Sequence, residues 1–160
     1  MVATLFAGCG GSSTDEHTAS QRVHGIGYAF AAPTSWTVAR AGRTVSAAHE
    51  NELVSVTVFR LARPYRPALW GRVVPALDRV AEQLAAGLHG RVDARETVVL
   101  AGRRARRYDI SFSRDGKDLV ERIAFVLHGR REYELLCRFV RGDVGAGKRC
   151  VAFLASFRPA

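Results

Sequence analysis

The sequence predicts an α+β fold in which an antiparallel β-sheet is flanked by helices on its faces. Residues 91–140 contain four runs separated by short turns that contain glycine, among them Asp115-Gly116, which is a strong signal for consecutive hairpins. The third run, residues 117–128, is apolar at both odd and even positions, so both faces of that strand need cover. Helical periodicity precedes and follows this meander, and it supplies the cover.

Composition sets the outer limits of the prediction. At 160 residues, with 48% hydrophobic and 24% charged residues, the chain can form one domain with a buried core. The net charge of +9 is carried almost entirely by arginine. Such a charge attracts lipid headgroups, wall polymers or nucleic acid in a salt-dependent way, although an arginine and alanine excess is also typical of a GC-rich genome.

The first residues are similar to the site at which bacterial lipoprotein signal peptides are cleaved. Small residues, Ala7 and Gly8, precede Cys9, which would carry the lipid. Phe6 replaces the usual leucine, and the basic and most of the apolar parts of a complete signal are missing. We therefore expect either a truncated lipoprotein signal with lipid attachment at Cys9 or a chance Ala-Gly-Cys sequence.

The residues that follow, 12–21, are small and polar, which predicts a disordered tether. This divides the chain into a signal remnant and tether, residues 1–21, and a single domain, residues 22–160. Within the domain, short strands are predicted at residues 28–30, from Trp36 onwards, and at 44–48 and 53–61, where period-two alternation is clear.

Helical spacing covers residues 70–88, with Pro75 inside the pattern. Because proline is tolerated in a first turn and kinks a helix interior, we expect the main helix to run from about Pro75 to Leu88. A second helical pattern covers residues 148–157. Cys137 in the last strand and Cys150 in this helix are separated by a polar, glycine-rich loop, which predicts a disulfide bond worth about 3 kcal/mol. The alternative is two buried free thiols in a cytosolic protein.

Motifs of known enzymes are missing from the sequence. Residues 49–52 do not match H-E-x-x-H, and there is no G-x-S-x-G elbow, Walker loop or dinucleotide fingerprint. Glu132 and Glu134 share one face of the last meander strand, where we expect ion pairs with Arg122 and other arginines rather than acid–base chemistry. The sequence therefore predicts no catalytic residue, metal site or cofactor.

An arginine cluster begins the second meander strand and is the candidate site for an anion or a partner. Its members are Arg103, Arg104, Arg106 and Arg107. Alternation sends Arg104 and Arg106 to one face of the strand and Arg103 and Arg107 to the other. We expect either a basic tip that contacts phosphate or carboxylate, or a solvated hairpin end paired with Asp109 or Glu96.

Several of these residues resemble a known fold. Phe30, Pro33 and Trp36 are similar to the F-x-x-P-x-x-W opening of the PsbP-like fold, although Ser35 stands where a glycine usually precedes the tryptophan. Further similar features are the Ala101-Gly102 turn with Ala105, Tyr133 in the last strand, and the closing Ser156-Phe157. Within that fold the chain most resembles small actinobacterial lipoproteins of the LpqN type. The resemblance covers residues 23–157 and implies an α-β-α sandwich with a noncatalytic role.

These observations together lead us to expect a noncatalytic lipoprotein at the extracytoplasmic face of the cell membrane. It would bind or scaffold exported proteins or anionic envelope components. One alternative is a hydrolase-like enzyme, which needs a closed pocket with two coupled titrating side chains. Another is a cytosolic nucleic-acid-binding protein, which needs exposed aromatic side chains among the arginines, where Tyr108 is the only one. A carrier of an apolar ligand would need a cavity between sheet and helix.

Overall fold

The computed structural model describes residues 19–160. Cys9 and most of the predicted tether lie outside the described residues. The strands are β1 Ser20–Gly25, β2 Tyr28–Pro33, β3 Thr37–Ala41, β4 Thr44–His49, β5 Glu52–Arg60, β6 Arg91–Leu100, β7 Arg103–Arg114, β8 Lys117–His128, β9 Arg131–Val140 and β10 Arg158–Pro159. The helices are α1 Trp70–Gly87 and α2 Val144–Ser156, and a short 3-10 helix, Pro67–Leu69, precedes α1.

The strands form two antiparallel sheets, so the predicted α+β class is confirmed. The larger sheet has seven strands in the order β3-β4-β5-β9-β8-β7-β6, and the smaller has the order β1-β2-β10. The strands before the meander therefore divide between the two sheets, because β3, β4 and β5 extend the meander beyond β9 while β2 pairs with β10. The meander strands have nearly the bounds that the sequence predicts.

The two faces of the large sheet are covered by different elements, as the sequence predicts. Ile123, Phe125 and Leu127 of β8 pack with α1 in one hydrophobic cluster. Ala124 and Val126, on the opposite face of the same strand, belong to the cluster that contains α2 and the small sheet. A strand that is apolar on both faces is thus the central layer of an α-β-α arrangement.

The first helix differs from the prediction because it begins at Trp70 rather than at about Pro75. Proline at position 75 removes the hydrogen bond to the Gly71 carbonyl, but both residues are exposed, so water can satisfy that carbonyl. The turn before Pro75 also places Trp70, which is only 9% exposed, in the α1 cluster. Burial of this large side chain therefore outweighs the local effect of proline.

The start of the domain also differs from the prediction. Strand β1 begins at Ser20, so the last two residues of the predicted tether, Ser20 and Gln21, pair with β2. The Gln21 amide donates hydrogen bonds to the carbonyls of Pro33 at 3.1 Å and Trp36 at 3.2 Å. Only Val23 is buried in this strand, and a single buried residue gives too weak an alternation to identify a strand from sequence.

The predicted disulfide bond between Cys137 and Cys150 is present. The Cα atoms lie 5.7 Å apart, and both residues are buried in the core between β9 and α2. The bond therefore fixes α2 to the central strands of the large sheet.

Candidate functional site

One end of the large sheet carries eight arginines, and we call it the arginine end. It is formed by the β3–β4, β6–β7 and β8–β9 turns and by the connection from β5 to α1. The chain that builds it is free of acidic residues over 23–49, 53–77, 97–108 and 122–131. The arginines at this end are Arg43, Arg60, Arg63, Arg66, Arg103, Arg104, Arg130 and Arg131.

None of these arginines forms an ion pair with a carboxylate among residues 19–160. Arginines nearer the middle of the sheet do, as the pairs Arg122–Asp109 and Arg138–Glu121 show, with N···O distances of 2.7 and 2.6 Å. The fold thus neutralises its interior arginines and leaves those at the arginine end free for an external anion.

Two of the arginines are held directly opposite each other. In the register of β5 with β9, Arg60 is the cross-strand partner of Arg131. Like charges in directly opposite positions destabilise a sheet, so the fold alone does not favour this pair. The next strand places His128 opposite Arg131, but burial and the charges of Arg103 and Arg131 lower the pKa of His128. Its ring is therefore neutral near pH 7 and adds no further repulsion.

An open cavity of about 490 Å³, which we call the Ile26 cavity, lies at the arginine end beside the small sheet. Its apolar wall consists of Ile26, Tyr28, Val45, Val58 and Phe59. Its charged rim consists of Arg43, Arg60, Arg130 and Arg131, and no carboxylate of residues 19–160 lines it. An apolar wall beside several guanidinium groups suits a ligand that has both an anionic and an apolar part.

The β1–β2 turn closes one side of this cavity and is held by several hydrogen bonds. The Gly27 carbonyl accepts hydrogen bonds from the Tyr133 hydroxyl at 3.1 Å and from the Ala160 amide at 2.9 Å. Gly27 has φ +76°, and a side chain there would collide with the Arg131 guanidinium. The positive φ favours glycine at this position, and the turn presents Ile26 to solvent with 80% of its surface exposed.

The four arginines predicted from sequence do not form one patch. Arg104 and Arg106 lie on the α1 side of β7. The Arg104 guanidinium lies 5.5 Å from the centre of the Trp70 ring, and Arg106 pairs with Asp78 at 3.0 Å. Asp78 also accepts a hydrogen bond from the hydroxyl of Tyr108, which is buried. Tyr108 is therefore unavailable for stacking on a nucleic-acid base.

Arg103 and Arg107 lie on the α2 side, where both line a second cleft of about 640 Å³. Arg107 pairs with Glu96 at 2.6 Å, which is one of the two pairings expected if the cluster is a solvated hairpin end. Arg103 has no carboxylate partner among the described residues. Only Arg103 and Arg104 of the predicted cluster thus contribute uncompensated charge to the arginine end, and Arg106 and Arg107 serve as internal ion-pair partners.

Among residues 19–160, Glu132 and Glu134 form none of the expected ion pairs. Arg122 is on the opposite face of the sheet, where it is the cross-strand neighbour of Cys137 and pairs with Asp109. Burial raises the pKa of Glu132 and Glu134, and the nearby carboxylates of Glu121 and Glu132 raise that of Glu134 further. Neither glutamate lines the Ile26 cavity or the second cleft.

The raised pKa of Glu134 predicts a pH-dependent effect on stability. The folded protein holds the Glu134 proton more tightly than the unfolded chain does. The resulting stabilisation is fully present below the ordinary pKa of about 4.5 and is lost as pH rises through the raised folded-state pKa. The variant Glu134→Gln should therefore have a higher free energy of unfolding than wild type near pH 7, and the difference should disappear toward about pH 4. Urea denaturation at both pH values measures it, with the exposed Glu50→Gln as control. A Glu134→Gln variant that is less stable than wild type near pH 7 would contradict this account.

The described part of the chain holds no group of three His, Cys, Asp or Glu side chains arranged for a metal ion. None of its helices has the length and apolar character needed to cross a membrane.

No protein-family model matches the chain, and no curated protein matches it significantly. Solved structures do match. The cyanobacterial PsbP protein of Synechocystis sp. PCC 6803 superposes with a TM-score of 0.66 at 13% identity, over 96% of this chain and 98% of its own. LpqN of Mycobacterium tuberculosis, described as involved in cell envelope biogenesis, gives a TM-score of 0.50 at 12% identity, over 89% of this chain and 91% of its own.

A third similar structure is a protein from Bacteroides thetaiotaomicron, with a TM-score of 0.56 at 10% identity over 84% of this chain. The match covers 45% of that protein, so it is considerably longer than the chain described here. Identities this low establish a common fold and nothing finer. The seven-stranded sheet with a helix on each face, the small sheet beside α2, and the match to PsbP over nearly the full length of both chains show that this chain has the PsbP-like fold.

Proposed function

We propose that this protein is a noncatalytic cell-envelope lipoprotein of the LpqN type whose domain binds an anionic envelope component through the arginine end. The observation that carries the proposal is the Ile26 cavity, whose rim consists of Arg43, Arg60, Arg130 and Arg131 and contains no carboxylate from the described part of the chain. Guanidinium groups bind phosphate and carboxylate through paired hydrogen bonds, so either group on a lipid or wall polymer fits this rim.

Several independent observations support an extracytoplasmic location. The Cys137–Cys150 disulfide is of a kind that persists in oxidising compartments and is rare in the cytosol. Cys9 follows the small residues typical of a lipid-attachment site. LpqN, which has the same fold, is described as involved in cell envelope biogenesis. A lipid on Cys9 would hold the arginine end near a surface rich in anionic groups, and an exported protein partner with an acidic surface would be attracted in the same way.

The repulsion between Arg60 and Arg131 supports anion binding at the arginine end. A cross-strand pair of like charges lowers the stability of the sheet, and an anion bound between the two guanidinium groups removes that repulsion. Binding and folding are therefore coupled, because a ligand that binds only the folded state stabilises it. An anionic ligand should for this reason raise the melting temperature of the protein.

Polyanion binding tests the proposal. The protein should bind inorganic polyphosphate with an affinity that falls steeply as salt increases. The double variant Arg43→Gln/Arg60→Gln should bind about 30-fold more weakly, on the basis of about 1 kcal/mol for each arginine. Neither guanidinium donates a hydrogen bond to another described residue, and the change removes the Arg60–Arg131 repulsion, so the variant should be at least as stable as wild type. Isothermal titration at two salt concentrations measures the affinities.

The matched control is Arg114→Gln/Lys148→Gln, which removes the same charge away from the arginine end. Arg114 is the last residue of β7, at the opposite end of the sheet, and Lys148 is on α2, away from the rim. If net charge alone drives binding, the two double variants will weaken it equally. Equal weakening, or no binding by wild type at low salt, would show that the arginine end is not the site.

A further inference from the structure

We propose that the Ile26 cavity docks on the surface of an anionic lipid bilayer, with Ile26 inserted among the headgroups and the rim arginines bound to lipid phosphates. The inference rests on the proposed function of the arginine end and names its occupant. A soluble polyanion needs only the arginines, whereas a lipid surface also accommodates the apolar side chains between them.

Ile26 is the first observation that favours a lipid surface. It occupies the tip of the β1–β2 turn, between Gly25 and Gly27, and is 80% exposed. Turn tips in proteins are ordinarily polar, and an exposed isoleucine gives up the free energy that its burial would provide. The residues before and after it in the chain are glycines, which have no side chains, and Ile26 therefore projects from the turn. Insertion into the region between headgroups and acyl chains recovers that burial.

The surroundings of Ile26 are the second observation. Tyr28, Val45 and Val58 continue the apolar surface from Ile26 into the cavity. The rim arginines border this surface on the sides formed by the β3–β4 turn, the end of β5 and the β8–β9 turn. An apolar tip bordered by cations, and lined by no carboxylate of the residues that the structure describes, is complementary to a bilayer with anionic headgroups.

The direction of β1 is compatible with simultaneous lipid attachment at Cys9. Ser20 lies five residues before Gly25, about 17 Å from the turn, so the predicted tether must run back along the domain for Cys9 and Ile26 to reach one membrane. The chain between Cys9 and Ser20 can extend to about 35 Å, which is sufficient. Lipid attachment and a basic surface are two weak membrane signals whose combination gives stable anchoring.

Vesicle binding by the unlipidated chain tests the proposal. The full 160-residue chain carrying Cys9→Ser is mixed with vesicles of phosphatidylglycerol and phosphatidylcholine, or of phosphatidylcholine alone, and sedimented. It should bind the anionic vesicles and not the neutral ones. Adding Ile26→Ser should weaken vesicle binding about tenfold and leave polyphosphate binding unchanged. Val144→Ser, which changes a 72% exposed valine at the start of α2, should affect neither.

The outcomes separate this inference from the proposed function. Binding to polyphosphate but not to anionic vesicles overturns the docking proposal and leaves the polyanion site intact, which then favours a wall polymer. Equal vesicle affinity of the chains with and without the Ile26→Ser substitution also overturns it, since charge alone then accounts for binding. Absence of binding to both probes removes the two proposals together. Thermal denaturation of each variant confirms that the comparison is between folded proteins.

Discussion

Replacing Phe157 with alanine should lower the free energy of unfolding by about 4 kcal/mol, the largest effect that we expect from a single substitution in this chain. Phe157 follows the last residue of α2 and is completely buried, with 0% of its surface exposed. Its ring lies 5.3 Å from that of Tyr133 and 6.3 Å from that of Tyr28, measured between ring centres. The side chain therefore joins α2, β2 and β9, and alanine would leave a cavity where the two sheets meet.

Urea denaturation measures this loss, and Val151→Ala provides the control. Val151 lies in the same helix but is largely exposed, so its truncation should change stability by no more than about 0.5 kcal/mol. A loss below about 1.5 kcal/mol for Phe157→Ala would mean that the surrounding rings collapse into the space. Because Tyr28 contacts Phe157 and also lines the Ile26 cavity, the same variant should change the apolar wall of the cavity more than its charged rim.

The meander could be predicted from the sequence because its signals are local. In the β6–β7 turn Ala101 and Gly102 have φ values of +49° and +72°, and Asp115 and Gly116 in the β7–β8 turn have +53° and +72°. Positive φ at both central residues matches the tight hairpin turns that are compatible with strand twist, and glycine or aspartate at these positions indicates them directly. The two-sided apolar pattern of β8 likewise indicates its central position without any tertiary information.

The arginine end could not be predicted in the same way, because it depends on a non-sequential strand pairing. β5 pairs with β9, which is separated from it by α1 and three strands, and this pairing brings Arg60 opposite Arg131. The sequence shows a cluster at residues 103–107, whereas the structure assigns half of that cluster to internal ion pairs. One signal was nevertheless available. The acid-free segments recur at every second turn of the meander, and antiparallel strands return alternate turns to the same end of a sheet.

The positions of Glu132 and Glu134 show a related limit. Both glutamates lie on one face of β9, as the sequence predicts. The face occupied by Arg122, however, depends on the register of β8 against β9, which pairs Arg122 with Cys137. A shift of one residue in register would have reversed the result. Side-chain partners across strands are therefore less predictable than the strands themselves.

The double variant Cys137→Ala/Cys150→Ala should lose about 3 kcal/mol of stability, the second large effect that we expect. The two cysteines are separated by 13 positions, and their bond restricts the unfolded chain over that loop. Both are buried in the α2 cluster, so removing the sulfur atoms also reduces packing between β9 and α2. Because Arg43, Arg60, Arg130 and Arg131 lie away from the bond, polyphosphate binding should persist at temperatures where the variant remains folded.

Wild-type protein denatured with and without a thiol reductant provides the matched comparison. The reduced protein should resemble the double variant, and the oxidised protein should exceed both by about 3 kcal/mol. Equal stability of all three would mean that α2 is held by packing alone and that the disulfide has no role in holding the fold. If removal of the disulfide does lower the free energy of unfolding by about 3 kcal/mol, the same loss would occur in a reducing compartment. That loss is a substantial fraction of the free energy of unfolding of a typical domain, about 5–15 kcal/mol. Such a dependence of the fold on its disulfide would be a physical reason to expect the protein on the oxidising side of the membrane, where a lipid on Cys9 would also place it.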